Sequence, residues 1–292
     1  MNADARDSNG PLEFSTPVNI GELLHLLRRH PQAELWGGGT HLLALRDRAH
    51  RRGEAEAMPS MIVSLHQVRE LRRVVRSDLH VDVGAAVPFG RLREVGERFL
   101  PKIVLDAIQS IGPPPIQNTA TIGGAVCCNE CVLPIAVMLQ LLDTRAEVRR
   151  HGHSRWQPLN ALRVGGRIRL NSGEVITRLR IPLRSWSSWI NHSFGRPYPV
   201  GSAGLTVAGV AAVDKGTLTE LRLALVWDGR HLAINRNAEA ELLGRSLPLS
   251  DRDRKSTVDM ILSSDPIAKE IPNLTWRRAQ YSLQQFLKGL GK

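Results

Sequence analysis

The chain has 292 residues, 42% hydrophobic and 23% charged, and its 39 Lys+Arg against 28 Asp+Glu give a formal charge of +11. A chain this long buries a core without cross-links, and with this composition it is not collagen, a disordered tail, a coiled coil or a disulfide mini-protein. At about 150 residues per domain it holds one large domain or two ordinary ones. The charge first suggests nucleic acid, an anionic membrane surface or an acidic partner. However, 33 of the basic residues are arginines scattered through the chain, with no block of five Lys/Arg, so a general Arg-for-Lys bias is the simpler reading and nucleic acid is not the expected partner.

In chain order, residues 1–13 are polar and read as frayed. The N-terminus has no apolar signal region, and no uncharged apolar run reaches the length of a membrane span, so the cytoplasm is the expected compartment. Thr16-Pro17 is expected to open a helix that carries Ile20, Leu23, Leu24 and Leu27 and stops at His30-Pro31. Ala33–Trp36 reads as a short strand running into Gly37-Gly38-Gly39-Thr40. An Arg-rich stretch over 46–57 follows Leu42, Leu43 and Leu45. Met61–Leu65 reads as a buried strand, and Leu71–Val75 with Leu79–Val83 as a hairpin.

Helices are expected from Pro88 and over roughly 101–111. Ile116–Thr121 is β-branched and reads as a strand entering a second glycine turn, Gly123-Gly124. An apolar helix over Pro134–Leu142 and strands at Ala146–Arg150, Ile168–Leu170 and Val175–Ile181 follow. Pro182–Ser193, with Trp186 and Trp189 among serines, reads as a connector; most of the tryptophans are expected to be core or interface anchors. Beyond it, Ala203–Val213 and Leu218–Trp227 form a hairpin about Asp214-Lys215-Gly216, and helices at about 236–244, 251–263 and 275–289 close an α+β region.

The two glycine turns are the most informative features. Glycines there permit positive φ and close backbone approach, and successive N–H groups make a concave anion site. One such cluster alone reads as an ordinary tight turn. Two, each beside a strand and a Thr, suit a pyrophosphate gripped from both sides. The chain has no G-x-G-x-x-G, P-loop, HExxH or GxSxG motif.

Trp36–Leu42 and Gln117–Ala125 resemble two motifs of the FAD-binding subunit of molybdenum hydroxylases, the xanthine dehydrogenase and carbon monoxide dehydrogenase family. In that family an apolar strand runs into Gly-Gly-Thr-Asp/Glu-Leu, and Asn-x-Ala-Thr-Ile-Gly-Gly-Asn comes later. Leu141-Leu142-Asp143, Glu174–Pro182, Ser193–Arg196 and Ala238–Arg245 fall in the family's order, so the likeness covers about 14–290.

The resemblance implies an α+β fold: a two-part PCMH-type (vanillyl-alcohol-oxidase-type) FAD domain over 14–185, then a small α+β domain over 190–290. It implies FAD as cofactor, with electrons arriving from a 2Fe–2S small subunit and leaving to an acceptor such as NAD. A molybdopterin-binding large subunit would carry the substrate chemistry. By position, the cofactor-binding set is Leu35, Trp36, Gly37, Gly38, Gly39, Thr40, His41 and Leu42, then Thr121, Ile122, Gly123, Gly124 and Ala125. Ile111, Cys131, Ile176 and Arg196 complete it, the arginine beside the flavin ring.

The sequence departs from the family pattern at His41, where an acid is usual, at Ala125, where Asn is usual, and at Cys131, where an Asp often stands. These departures favour a second reading, a structural or assembly subunit that keeps the fold and has lost FAD. A cell-wall UDP-sugar reductase shares the FAD fold but finds no support in the C-terminal half. Cys127, Cys128 and Cys131 are three, whereas an iron–sulfur cluster takes four thiolates. They read first as small buried or flavin-adjacent residues; the iron–sulfur cluster is the sharp alternative, and zinc with an outside His is a lesser one. His151 and His153 read as a solvated turn.

Overall fold

The computed structural model describes residues 12–54, 59–130, 132–164, 167–194, 204–228, 231–233, 235–263 and 271–291. Its first third comprises β1 (Glu13–Ser15), α1 (Ile20–Arg29), β2 (Glu34–Trp36), α2 (Thr40–Arg51), β3 (Met61–Ser64), β4 (Val74–Arg76) and β5 (His80–Gly84). Then come α3 (Phe89–Gly96), α4 (Lys102–Gln109), α5 (Pro114–Thr119), α6 (Ile122–Cys127) and α7 (Pro134–Leu141). Next are β6 (Arg145–Arg150), β7 (His153–Pro158), α8 (Leu159–Leu162), β8 (Arg163–Val164), β9 (Arg167–Ile168) and β10 (Val175–Pro182). The last part holds β11 (Ser188–Phe194), β12 (Leu205–Asp214), β13 (Thr217–Trp227), β14 (His231–Ala233), α9 (Arg236–Ala240), α10 (Asp251–Ser263) and α11 (Asn273–Gly289).

Three main sheets organise the chain. A parallel sheet runs β1-β3-β2, an antiparallel one β4-β5-β10-β6-β7, and a second antiparallel one β11-β12-β13-β14. Each of three apolar cores has its own source. Leu23, Leu24 and Leu27 of α1 meet Met61 and Val63 of β3 in a small core. A large core joins β5, β6 and β10 to α3, α4 and α7. A third lies between the last sheet and helices α9–α11.

Strand alternation explains how the last sheet serves two cores. Ala208 and Val210 of β12, with Ala224 and Val226 of β13, face the large core. Leu205, Val207 and Ala211, with Leu221, Leu223 and Leu225, face the third. A sheet buried on both faces needs the nearly continuous apolar runs these strands carry.

Several expectations are corrected. Helix α1 is capped by Asn19, not Thr16: its Oδ1 accepts from Glu22 N at 2.9 Å, and the Glu22 carboxylate accepts from Val18 N at 2.9 Å. This exchange satisfies one orphan helix donor and the N–H of the residue before the cap, which Thr16 followed by Pro17 does not match. The Arg-rich stretch is helical through Arg51: Arg46 turns inward onto Glu34, and Asp47 and Arg51 pair one turn apart on the exposed side. Arg69–Arg72 is a 3-10 turn, so the expected hairpin begins only at Val74.

Residues 116–119 are helical rather than extended. Pro114 and Pro115 preset the first turn of α5, and proline's fixed φ outweighs the strand propensity of Ile116 and Thr119. The expected connector is largely strand β11. It is tied down by Trp189, whose Nε1 donates to Asp106 Oδ2 at 2.7 Å under the Lys102 ammonium. The remaining expected helices and the hairpin of β12 and β13 stand close to where the sequence puts them.

On its outer face the five-stranded sheet carries a charge ladder. Arg178 pairs bidentately with Glu147 (2.8 and 2.8 Å), Arg180 pairs with Asp82 (2.7 and 2.7 Å), and both guanidinium groups lie over Trp156. Burial pushes the Glu147 carboxyl up, but hydrogen bonds from Arg178 and Thr177 more than offset that and hold it at about 2.

Candidate functional site

The first glycine turn is the joint between β2 and α2. A lock behind it fixes its start: Arg46 donates to both Glu34 oxygens (2.9 and 2.7 Å), lies over the Trp36 ring, and Trp36 Nε1 also donates to Glu34. Gly39 has φ +67°, the left-handed region that lets the chain turn straight into the helix. The backbone N–H groups of Gly38, Gly39 and Thr40 have no hydrogen-bond partner among the described residues. They are the donors at the start of a twelve-residue helix, where the macrodipole is positive.

The second glycine turn has a different construction. Thr121 caps α6, its Oγ1 accepting from Gly124 N at 3.2 Å. Ile122 N donates to Val87 O at 3.1 Å, Gly123 N to Ala85 O at 2.9 Å, and Ala125 N to Thr121 O at 3.0 Å. The turn is therefore stitched to the segment after β5, and its donors are used within the chain. A Cβ on Gly123 would stand 2.6 Å from Ala85 O, so the site demands glycine. Gly124 is exposed, and a Cβ there would meet only Thr121 Oγ1, at 3.1 Å.

The two turns touch. A Cβ on Gly37 would stand 2.4 Å from Thr121 Oγ1, and one on Gly38 would stand 2.0 Å from Thr119 O. Glycine's missing side chain is what lets the two backbones meet at one corner.

Other expected residues are placed less uniformly. Leu35, Trp36, Thr40, His41 and Leu42 are half-buried about the first turn. Ile122 and Ala125 point into the large core, so Ala125 offers the corner backbone rather than side chain. Ile176 is buried in the same core, and Ile111 packs half-buried against it. Cys131 and Arg196 lie outside the described residues. His151 sits in the turn between β6 and β7, with its ring edge on to His25.

The sequence did not single out the corner's remaining groups together. His41 Nε2 lies 3.1 Å from Glu130 Oε2, and Cys128 Sγ lies 3.8 Å from the same oxygen. Hydrogen bonds to Cys128 and Glu130 raise His41 to about 9, and the His41 bond in turn lowers Glu130. Cys127, by contrast, is pushed up to about 11 by burial, an inert thiol. Glu130 and Cys128 belong to the loop after α6 and reach His41 only through the fold.

A family model described as the FAD binding domain in molybdopterin dehydrogenase matches residues 10–184, more than half of the chain. The chain belongs to that family. FAD is its cofactor, and the chain is of the FAD-binding subunit type, an oxidoreductase component. It is 27% identical over 219 residues to the xanthine dehydrogenase FAD-binding subunit of Escherichia coli O157:H7, covering 72% of each.

Its fold matches quinoline 2-oxidoreductase of Pseudomonas putida 86 with a TM-score of 0.77 at 20% identity, covering 96% of this chain and 97% of that one. Carbon monoxide dehydrogenase of Hydrogenophaga pseudoflava matches with a TM-score of 0.78 at 19% identity, covering 96% of each. These likenesses carry the α+β fold. The residues fit FAD on the chain's own terms: open N–H donors at a helix start suit a diphosphate, and the exposed Gly124 leaves space beside them. Among the described residues no helix is long and apolar enough to cross a membrane.

Proposed function

We propose that this chain holds FAD at the glycine corner and relays electrons within a molybdopterin-dependent dehydrogenase. In this reading an iron–sulfur small subunit supplies the electrons, a molybdopterin-binding large subunit carries the substrate chemistry, and an external acceptor, NAD being expected, receives them. FAD, when bound, supplies the redox chemistry. The chain's own residues do the holding. The N–H groups of Gly38, Gly39 and Thr40 donate to the diphosphate, and Leu35, Trp36, His41 and Leu42 shape that stretch. Thr121, Ile122, Gly123, Gly124 and Ala125 form the facing wall, with only Gly124 open to contact. Ile111, Cys131, Ile176 and Arg196 are the remaining assignments, the arginine balancing negative charge near the ring.

The observation that carries the reading is the row of N–H groups at a helix start, without partners among the described residues and packed against a second glycine turn. Purified protein is expected to be yellow and to release FAD in near-stoichiometric amount. Gly124→Val, which fills the open side of the corner, is expected to abolish FAD retention while leaving the melting temperature in place. A variant that keeps its FAD would remove Gly124 from the site. A colourless protein that ignores added FAD would instead support the structural-subunit reading, which His41 and Ala125 favour. Arg196→Ala is expected to retain FAD and change its reoxidation rate.

A further inference from the structure

The structure assigns a second binding site at this corner: we propose that His41, Cys128 and Glu130 form a three-ligand site for a transition-metal dication of the zinc type. The nitrogen, sulfur and oxygen donor atoms all lie within 4.8 Å of one another. Tetrahedral zinc requires edges of about 3.4 Å between N and O and about 3.6 Å between S and O. The observed 3.1 Å for His41–Glu130 and 3.8 Å for Cys128–Glu130 sit close to both values. Two of the three edges thus already stand near tetrahedral values, and the third lies within 4.8 Å.

The donor set narrows the metal. Thiolate and imidazole together select zinc, cobalt or copper over magnesium and calcium, which prefer oxygen. A thiolate and a carboxylate neutralise the dication, which matters because His41 lies in the first turn of α2, where the helix dipole opposes an unneutralised cation. Three protein ligands also leave a fourth position. Cys128 is buried and Glu130 is half-exposed, so that position opens on the Glu130 side. There a surface cleft of about 320 Å³ is lined by Asn129, Glu130, Arg167, Ile168 and Arg169.

Support from outside the ligands is present as well. Asn129 Oδ1 accepts from Ile168 N at 2.8 Å, and Arg163 Nη2 donates to Val126 O at 2.8 Å. These bonds pin both sides of the Cys128 loop to β8 and β9, as a rigid metal loop requires.

The test uses the full-length chain, stripped with chelator, kept reduced and titrated with cobalt(II). One equivalent is expected, with four-coordinate d–d bands to the red of flavin absorption, displaced by zinc. Cys128→Ser should remove the sulfur contribution to the spectrum, and Cys127→Ser should leave it unchanged. Losing an outer support alone costs a metal site about 10–100-fold in affinity, so His41→Ala should weaken cobalt binding by more than about 100-fold. Glu130→Gln, a change at an exposed position, covers the case in which Cys128→Ser fails to fold, and it too should weaken binding. The proposal is overturned if no four-coordinate cobalt forms, if the bands survive Cys128→Ser, if they vanish in Cys127→Ser or Cys131→Ser, or if binding ignores His41→Ala and Glu130→Gln. Flavin content of the same samples reports on the FAD assignment separately, because the cobalt bands need no flavin.

Discussion

The two glycine turns look alike in sequence and are built for opposite tasks. In the first, the N–H groups of Gly38, Gly39 and Thr40, at the start of a long helix, have no partner among the described residues. The second spends its N–H groups on the segment after β5 and on its own cap, and presents a bare backbone edge at Gly124. Gly39 in the first turn serves conformation, while Gly37 and Gly38 in the first and Gly123 in the second serve close packing. The Thr-Ile-Gly-Gly stretch is the more recognisable motif, yet the less conspicuous Gly-Gly-Gly-Thr stretch holds the open donors. A motif's distinctiveness therefore reports how tightly the fold constrains it, not how many bonds it offers a ligand.

The strongest way to break this comparison is to force the turns apart. A Cβ on Gly38 would lie 2.0 Å from a backbone carbonyl that cannot step aside. Gly38→Ala is expected to cost about 1–3 kcal/mol or more, as overpacking does, and to lose FAD as well. Calorimetry and flavin content on the same sample check both losses.

Next in size is the coupling through Thr121. Its Oγ1 caps α6 and also fills the space beside Gly37. Thr121→Ala is expected to cost about 1 kcal/mol as a lost cap. Gly37→Ala should destabilise the native chain but cost clearly less in the Thr121→Ala background, where the 2.4 Å clash has gone. Additive losses in denaturant melts of the four proteins would show that the turns are not coupled.

A smaller effect is expected behind the first turn. Glu34→Gln removes the carboxylate that Arg46 and Trp36 share, leaving Arg46 without its charge partner. The second turn has no such lock, so faster amide exchange should appear over residues 37–42 and not over 121–125. Equal acceleration in both would show that the Glu34 lock is not specific to the first turn.

A further test gives a baseline remote from either turn. Glu147 has its carboxyl lowered from 4.5 to about 2. Its contribution is thus full above pH 4.5 and fades as the pH falls towards 2. The stability difference between the native chain and Glu147→Gln should shrink over that window, while a flavin-loss variant such as Gly124→Val should show no such trend relative to the native chain.

Much of this was legible in the residues. Apolar spacing located most helices and the hairpin of β12 and β13, and both glycine stretches marked the corner. What escaped has physical causes. The Asn19–Glu22 box outcompetes an equally plausible Thr16 start, and consecutive prolines override a β-branched run at 116–119. The meeting of His41 with Cys128 and Glu130 joins segments nearly ninety positions apart, and no local pattern encodes it. Nor did the pattern show that the N–H groups of 122–125 are already taken, since their acceptors lie on a different segment or depend on the cap.

The sheet of β12 and β13 has a bearing on ancestry and engineering. Because Ala208, Val210, Ala224 and Val226 complete the wall of the large core, the flavin-holding half inherits part of its interior from the other end of the gene. A graft that swaps everything after residue 185 would have to match these four small and medium side chains against α7. Recombination between distant relatives is expected to succeed only where that interface is carried across intact.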